Sequence, residues 1–133
     1  MERTFVIIKP DAVQKGLIGA ILQRFEQKGL KVIRLEMRQI ERQVARQHYA
    51  HLVDKPFFEG VLDAITATPV VLGILEGPEA VSVVRTLVGP TNPAVAPPGT
   101  IRGDYAIALP DNAVHASDSP ESATREIKLF FGR

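Results

Sequence analysis

The sequence predicts an α+β fold: a ferredoxin-like β-α-β-β-α-β sandwich, an antiparallel sheet with helices and a long inserted loop before the last strand. Three observations carry this prediction. Thr4–Ile8 and Pro69–Leu75 are apolar at consecutive positions, as central strands covered on both faces are. Ile33, Leu35 and Met37 alternate with Arg34, Glu36 and Arg38, the pattern of an edge strand with one wet face. Helical stripes separate these runs in the order strand, helix, strand, helices, strand, helix, loop, strand, helix. A doubly wound parallel sheet is the alternative arrangement of the same elements.

The elements follow in order. Thr4-Phe5-Val6-Ile7-Ile8 is closed by Lys9-Pro10-Asp11. Ile18, Ile21, Leu22 and Phe25 form the i, i+3, i+4, i+7 stripe of an amphipathic helix, with Gly29 as its left-handed stop. In the alternating strand, Ile33, Leu35 and Met37 are expected on the face that helices cover. Two short helical stretches follow, one around Val44–Leu52 and one opened by Pro56 and carrying Phe58, Val61, Leu62 and Ile65. After the second apolar strand, Gly77-Pro78 starts a helix with a first-turn proline, and Gly89 ends it. From Pro90 to about Asn112 prolines and glycines erase the periodicity, which predicts a long, proline-stiffened loop without secondary structure. A short strand around Ala113–Ala116 and a helix capped by Ser119-Pro120, bearing Ala123, Ile127 and Phe130, complete the chain.

Composition bounds the function. At 133 residues the chain is expected to form one domain spanning 1–133. Its 45% hydrophobic and 23% charged residues are the balance of a globular protein rather than a disordered one. The absence of cysteine excludes disulfides, thiolate metal sites and a cysteine nucleophile. A formal net charge of +1 and 6% aromatics argue against a dedicated nucleic-acid binder. No run approaches the ~20 apolar residues of a membrane span, and no signal-peptide pattern opens the chain. A cytoplasmic protein is expected.

Candidate chemistry gathers around the long loop. Thr91 and Arg102 suit a phosphate, the arginine as an always-charged planar fork, although such a loop can equally be a solvated connection. His115 ends the short strand directly after it. A histidine between valine and alanine is often a packed core residue, but Ser117 lies two positions on and Glu126 on the following helix. An imidazole that attacks phosphorus needs one nitrogen free and the other held by an acceptor, a role open to Glu126. Lys9 ends a buried strand, where loops of sheets often meet ligands. His48 and His51 stand one helical turn apart, but no third ligand suggests itself and no metal site is assigned. Neither G-x-x-x-x-G-K-[ST] nor G-x-G-x-x-G occurs, so the common nucleotide-binding fingerprints are missing.

Asn112-Ala113-Val114-His115-Ala116-Ser117-Asp118-Ser119 is similar to the active-site signature of the nucleoside diphosphate kinase family. Thr4–Asp11, Phe25–Gly29, His48-Tyr49, Lys55–Phe58, Thr91–Pro93 and Pro98–Asp104 extend the resemblance, in order, over essentially the whole chain. The resemblance implies a ping-pong transfer of the γ-phosphate between nucleoside triphosphates and diphosphates, with His115 as the phosphorylated nucleophile. Ser117 and Glu126 match its hydrogen-bonded support. Lys9, Tyr49, Arg85, Thr91 and Arg102 match positions that hold phosphates or approach the transferring group, Asn112 the ribose contact, and Phe57 the aromatic on which any base stacks. Mg²⁺ would arrive on the nucleotide phosphates. His48 and His51 are expected to be dispensable.

The resemblance also implies a homo-oligomer, with a hexamer favoured over a tetramer. Three departures bear on these expectations. Ala12 replaces the glycine of the family's K-P-D-G string, at an expected cost of about 1 kcal/mol if that position has positive φ. Pro90 precedes Thr91 and should stiffen the loop's entry. The chain stops soon after the last helix, without the extension that longer members use between subunits.

Overall fold

The computed structural model describes residues 1–132. The elements are β1 (Glu2–Ile8), α1 (Pro10–Gln14), α2 (Ile18–Lys28), β2 (Lys31–Arg38), α3 (Arg42–His48), α4 (Phe58–Thr66), β3 (Val70–Gly77), α5 (Ala80–Val88), α6 (Ile101–Tyr105), β4 (Val114–Ala116) and α7 (Pro120–Phe131). Short 3₁₀ turns occupy Ala50–Leu52 and Pro93–Val95. The sheet runs β2-β3-β1-β4, and every pairing is antiparallel. The doubly apolar strands β1 and β3 are central and the alternating β2 is an edge, as the patterning predicts; the parallel alternative is excluded.

Side-chain alternation along β1 divides the core between two faces. Phe5 and Ile7 join Leu72, Leu62, Ile65 and Phe130 under α3, α4 and α7. Val6 and Ile8 join Val71, Ile21, Phe25 and Val84 under α2 and α5. His115 pairs with Ile7 across the β1–β4 ladder, so it projects toward the α3/α7 side. That register decides which helices can reach it.

Four sequence expectations are corrected. The stretch Pro90–Asn112 is not structureless. Thr100 caps α6, accepting from the Gly103 N–H at 3.0 Å and donating to the Pro97 carbonyl at 2.7 Å. A Cβ at Gly103 would lie 1.9 Å from that same carbonyl oxygen, so only glycine lets the turn close. Arg24 of α2 then clasps the segment, bonding the Gly99 carbonyl at 3.0 Å and Asp104 at 2.7 Å. These contacts are tertiary, and sequence periodicity does not report them.

Leu35 and Met37 are not covered by helices; they are 48% and 57% exposed. A bulge between Val32 and Arg34 absorbs Ile33 and sets the register of the rest of β2. Leu35 then pairs with Gly73 and Met37 with Val71, at the outer edge of the α2/α5 face. The opposite face is less wet than its charges suggest. The Arg34 guanidinium lies 4.3 Å from the Phe131 ring centre, and Arg38 bonds Glu36 at 2.7 Å.

Ala12 carries no strain. It lies inside α1 and its methyl group is fully buried in the α2/α5-side core. The non-glycine residues with positive φ are instead Glu79 (51°) and Ala113 (69°), among the described residues. Finally, α5 starts at Ala80 behind the left-handed Glu79, so Pro78 precedes the helix instead of occupying its first turn.

Candidate active site

The site lies at the end of the sheet where β1 and β4 meet the α3, α4 and α7 layer. Ser119 accepts from the Ser122 N–H and Pro120 fills the first turn of α7, which sets the phase of that helix. Ala123, Glu126 and Phe130 share its buried stripe, so Glu126 is carried inward among apolar neighbours. Its Oε1 accepts from His115 Nε2 at 2.9 Å and from Ser117 Oγ at 2.7 Å. Burial pushes the Glu126 carboxyl up, but the hydrogen bonds and nearby charge of His115, with the Ser117 bond, outweigh it and hold the pKa below the usual value. An ionised carboxylate only accepts, so Nε2 of His115 bears the proton and Nδ1 has the free lone pair.

Cations surround this pair. A cleft of about 620 Å³ is lined by Lys9, Arg85, Arg102, Arg125 and His115, among others. Lys9 donates to Asn112 Oδ1 at 2.8 Å and to the Pro110 carbonyl at 3.0 Å, while Asn112 Nδ2 donates to the Thr91 carbonyl at 3.0 Å. Burial is the main force lowering the Lys9 pKa, and Arg102 adds to it. Arg85 reaches the Ala116 carbonyl at 3.2 Å. Burial, then Glu126, pushes the Tyr49 phenol up to about 12, so it stays neutral.

Arg102 departs from the picture of a free phosphate fork. It is 3% exposed, and its guanidinium donates to the carbonyls of Asn112 (3.2 Å), Gly89 (2.9 Å) and Val114 (2.7 Å). It ties α6 to the end of α5 and to β4, leaving two of its five N–H donors. Burial, with Arg85 beside it, pushes its pKa down to about 10, still charged at neutral pH.

An adjoining apolar cleft of about 690 Å³ shares Lys9, Tyr49, Thr91 and Asn112 with the first. Phe57, at the start of α4 and 54% exposed, lines it with Val61, Leu109 and Pro110. All ten residues singled out in the sequence therefore converge: nine line the two clefts, and Ser117 stands behind Glu126.

His48 was missed as a neighbour of this site. It does not form a pair with His51; its ring packs edge-on against His115 with centroids 4.6 Å apart. Burial, with the His115 and His51 charges, pushes its pKa down to about 3, so it is neutral at physiological pH. The signal was present in the pattern. Ala45, His48, Tyr49 and Leu52 follow the i, i+3, i+4, i+7 spacing of a buried stripe.

The architecture built here is that of a nucleotide phosphotransferase, as comparison with known proteins shows. A solved nucleoside diphosphate kinase from Encephalitozoon cuniculi superposes with a TM-score of 0.98 at 44% identity, covering 100% of this chain and 90% of that one. The Halobacterium salinarum enzyme, solved in complex with CDP, gives 0.96 at 48% identity over 99% of this chain and 88% of its own. The nucleoside diphosphate kinase from Archaeoglobus fulgidus is 57% identical over 131 residues, 98% of this chain and 87% of that protein. The family model for nucleoside diphosphate kinase matches residues 2–133. The chain belongs to the nucleoside diphosphate kinase family, and its activity is the family's ping-pong phosphoryl transfer. Nucleotide kinases act on divalent-cation complexes of their substrates. No helix among the described residues is long and apolar enough to cross a membrane.

Proposed function

We propose that His115 is the nucleophile, and that the chain transfers the γ-phosphate of any common nucleoside triphosphate to a nucleoside diphosphate through a phosphohistidine. One observation carries this reading: the 2.9 Å bond from His115 Nε2 to a Glu126 carboxylate that Ser117 also holds. The Nδ1 lone pair forms the bond to the γ-phosphorus while the bond to the bridging oxygen breaks and the diphosphate leaves with its electron pair. Glu126 stabilises the positive charge that develops on the ring. The second half-reaction reverses these steps with a different diphosphate.

Lys9, Arg85 and Arg102 supply positive charge where the phosphates lie, and Tyr49 and Thr91 supply uncharged donors. Asn112 takes the ribose hydroxyls, and Phe57 stacks on the base. Stacking tolerates every base because each has a π-face, which supports broad specificity. The lining suits a metal–nucleotide complex: among the described residues Asp118 is the only lining carboxylate not bonded to His115, too few oxygen ligands for a resident Mg²⁺ cage. Mg²⁺ carried in on the nucleotide would add to the positive charge that Lys9, Arg85 and Arg102 supply around the phosphates.

The same proposal covers assembly and setting. Residues 1–133 act as one catalytic domain in the cytoplasm, within a homo-oligomer for which a hexamer is favoured over a tetramer. Exposed Leu35 and Met37 on the β2 edge, and Val95 and Ile107 near α6, are apolar groups that subunit contacts would cover.

The test is incubation with γ-labelled ATP. An acid-labile, base-stable phosphoprotein that discharges onto added GDP or CDP is expected from the native chain, and none from His115→Ala. Label retained by His115→Ala overturns the assignment.

A further inference from the structure

His48 on α3, His115 on β4 and Glu126 on α7 each bring one ligand atom to within 4.8 Å of the others. Two of these atoms are otherwise unused. The His48 side chain is 4% exposed, yet its Nδ1 stands 4.0 Å from Glu126 Oε2, beyond hydrogen-bonding range. Glu126 Oε2 is left without a hydrogen bond among the described residues, because His115 and Ser117 both bond Oε1. A buried imidazole and a carboxylate oxygen thus face each other across a gap too wide for a proton and open to the cleft.

We propose that His48, His115 and Glu126 bind a single Zn²⁺-class ion, and that filling this site switches off phosphoryl transfer. The switching half rests on the reading of His115 as the nucleophile. A tetrahedral ion with metal–nitrogen bonds of ~2.0–2.1 Å and metal–oxygen bonds of ~2.0–2.2 Å holds such ligands ~3.4 Å apart. The ligand atoms already lie within 4.8 Å of one another, with 4.0 Å between His48 Nδ1 and Glu126 Oε2, so small side-chain rotations close the site. Two imidazoles and one carboxylate favour zinc, copper, nickel or cobalt over magnesium, which demands oxygen. The fourth position opens on the cleft, where water completes the shell.

The inhibitory step is a change of tautomer. An ion on Nε2 of His115 displaces the proton that Glu126 now accepts. The neutral ring then carries its one proton on Nδ1, and the net proton count is unchanged. Nδ1 has lost the lone pair that must form the bond to phosphorus. The ion's charge beside the ring lowers its nucleophilicity further.

Nucleotide-free protein is titrated with ZnCl₂ by calorimetry, and the imidazole NMR signals are followed. The chain holds three histidines, so each is resolved separately. One equivalent should bind at micromolar concentration or tighter, moving the His48 and His115 signals and leaving His51 in place. Co²⁺ at the same site should show the visible bands of a four- or five-coordinate ion. His48→Gln should weaken zinc binding roughly tenfold or more. In excess Mg²⁺ with buffered Zn²⁺, exchange should fall as the site fills, recover with chelator, and be less zinc-sensitive in His48→Gln relative to that variant's own zinc-free rate. No binding, or binding that moves His51 instead, overturns the metal site and leaves the nucleophile assignment standing. Binding at His48 and His115 with full exchange activity overturns the switch and, with it, His115 as nucleophile. The NMR measurement on the native chain decides the site even if the variant fails to fold.

Discussion

Replacing Arg102 with alanine should destabilise the fold as well as impair catalysis. The guanidinium makes three bonds to backbone carbonyls of two separate segments, one to Gly89 after α5 and two to Asn112 and Val114 at the start of β4. A net ~1 kcal/mol per bond, and more for a charged donor, gives a loss of about 3–5 kcal/mol after some water enters the vacated space. For 133 residues the unfolding entropy is about 0.28 kcal/mol/K, so Tm should fall by about 10–18 °C. Arg102→Lys should lie between, since one ammonium cannot reach three carbonyls fanned around a planar group. Thermal unfolding followed by circular dichroism, at matched protein concentration, reads the loss. Steady-state kinetics should show kcat/KM reduced by about ten- to a hundred-fold or more, equally for all four bases, because phosphates carry no base identity. If Arg102→Ala melts within ~4 °C of the native chain, the three carbonyl bonds hold nothing together and the clasp is refuted. A kinetic loss confined to one base would refute the phosphate role.

The remaining expectations are as specific. Phe57→Ala removes a half-exposed ring worth about 1–3 kcal/mol per stacked base, so purine nucleotides should lose more affinity than pyrimidine ones; equal losses count against stacking. His48, facing His115 and Glu126 with His51 and Arg125 nearby, has a folded pKa of about 3 against 6.5 for the free side chain. Between those values the unfolded chain binds the proton and the folded one does not, so stability falls as pH drops below 6.5, by up to ~1.4 kcal/mol per unit. Urea unfolding from pH 7 to 5, with chelator present, should show this steepening for the native chain but not for His48→Gln, and parallel curves contradict it. Analytical ultracentrifugation at micromolar concentration should find an oligomer whose Tm rises with protein concentration; a fully active monomer rejects the assembly.

What the sequence determined by itself is local in origin. Consecutive apolar residues placed β1 and β3 at the centre of the sheet, the stripe ending at Gly29 bounded α2, and Ser119-Pro120 set the start of α7. Each pattern depends on neighbours within one element, which is why it can be read without the fold. The motif around His115 was legible as a resemblance to a known family, and most of the residues that gather beside it were assigned through that resemblance, not through any local pattern. Other features depended on distances between elements. The sequence placed Leu35 on a buried face, but whether a helix covers it depends on where α2 ends over the sheet and on the bulge at Ile33. Arg102 read as a phosphate ligand, while its carbonyl partners lie 10 to 13 residues away along the chain. His48 read as half of an i, i+3 pair, yet the ring it touches is on β4 and the carboxylate it faces is on α7. Helical period reports which side of α3 is buried, not what lies opposite. Only the packing of α3 and α7 on one face of the sheet decides that His48, His115 and Glu126 meet.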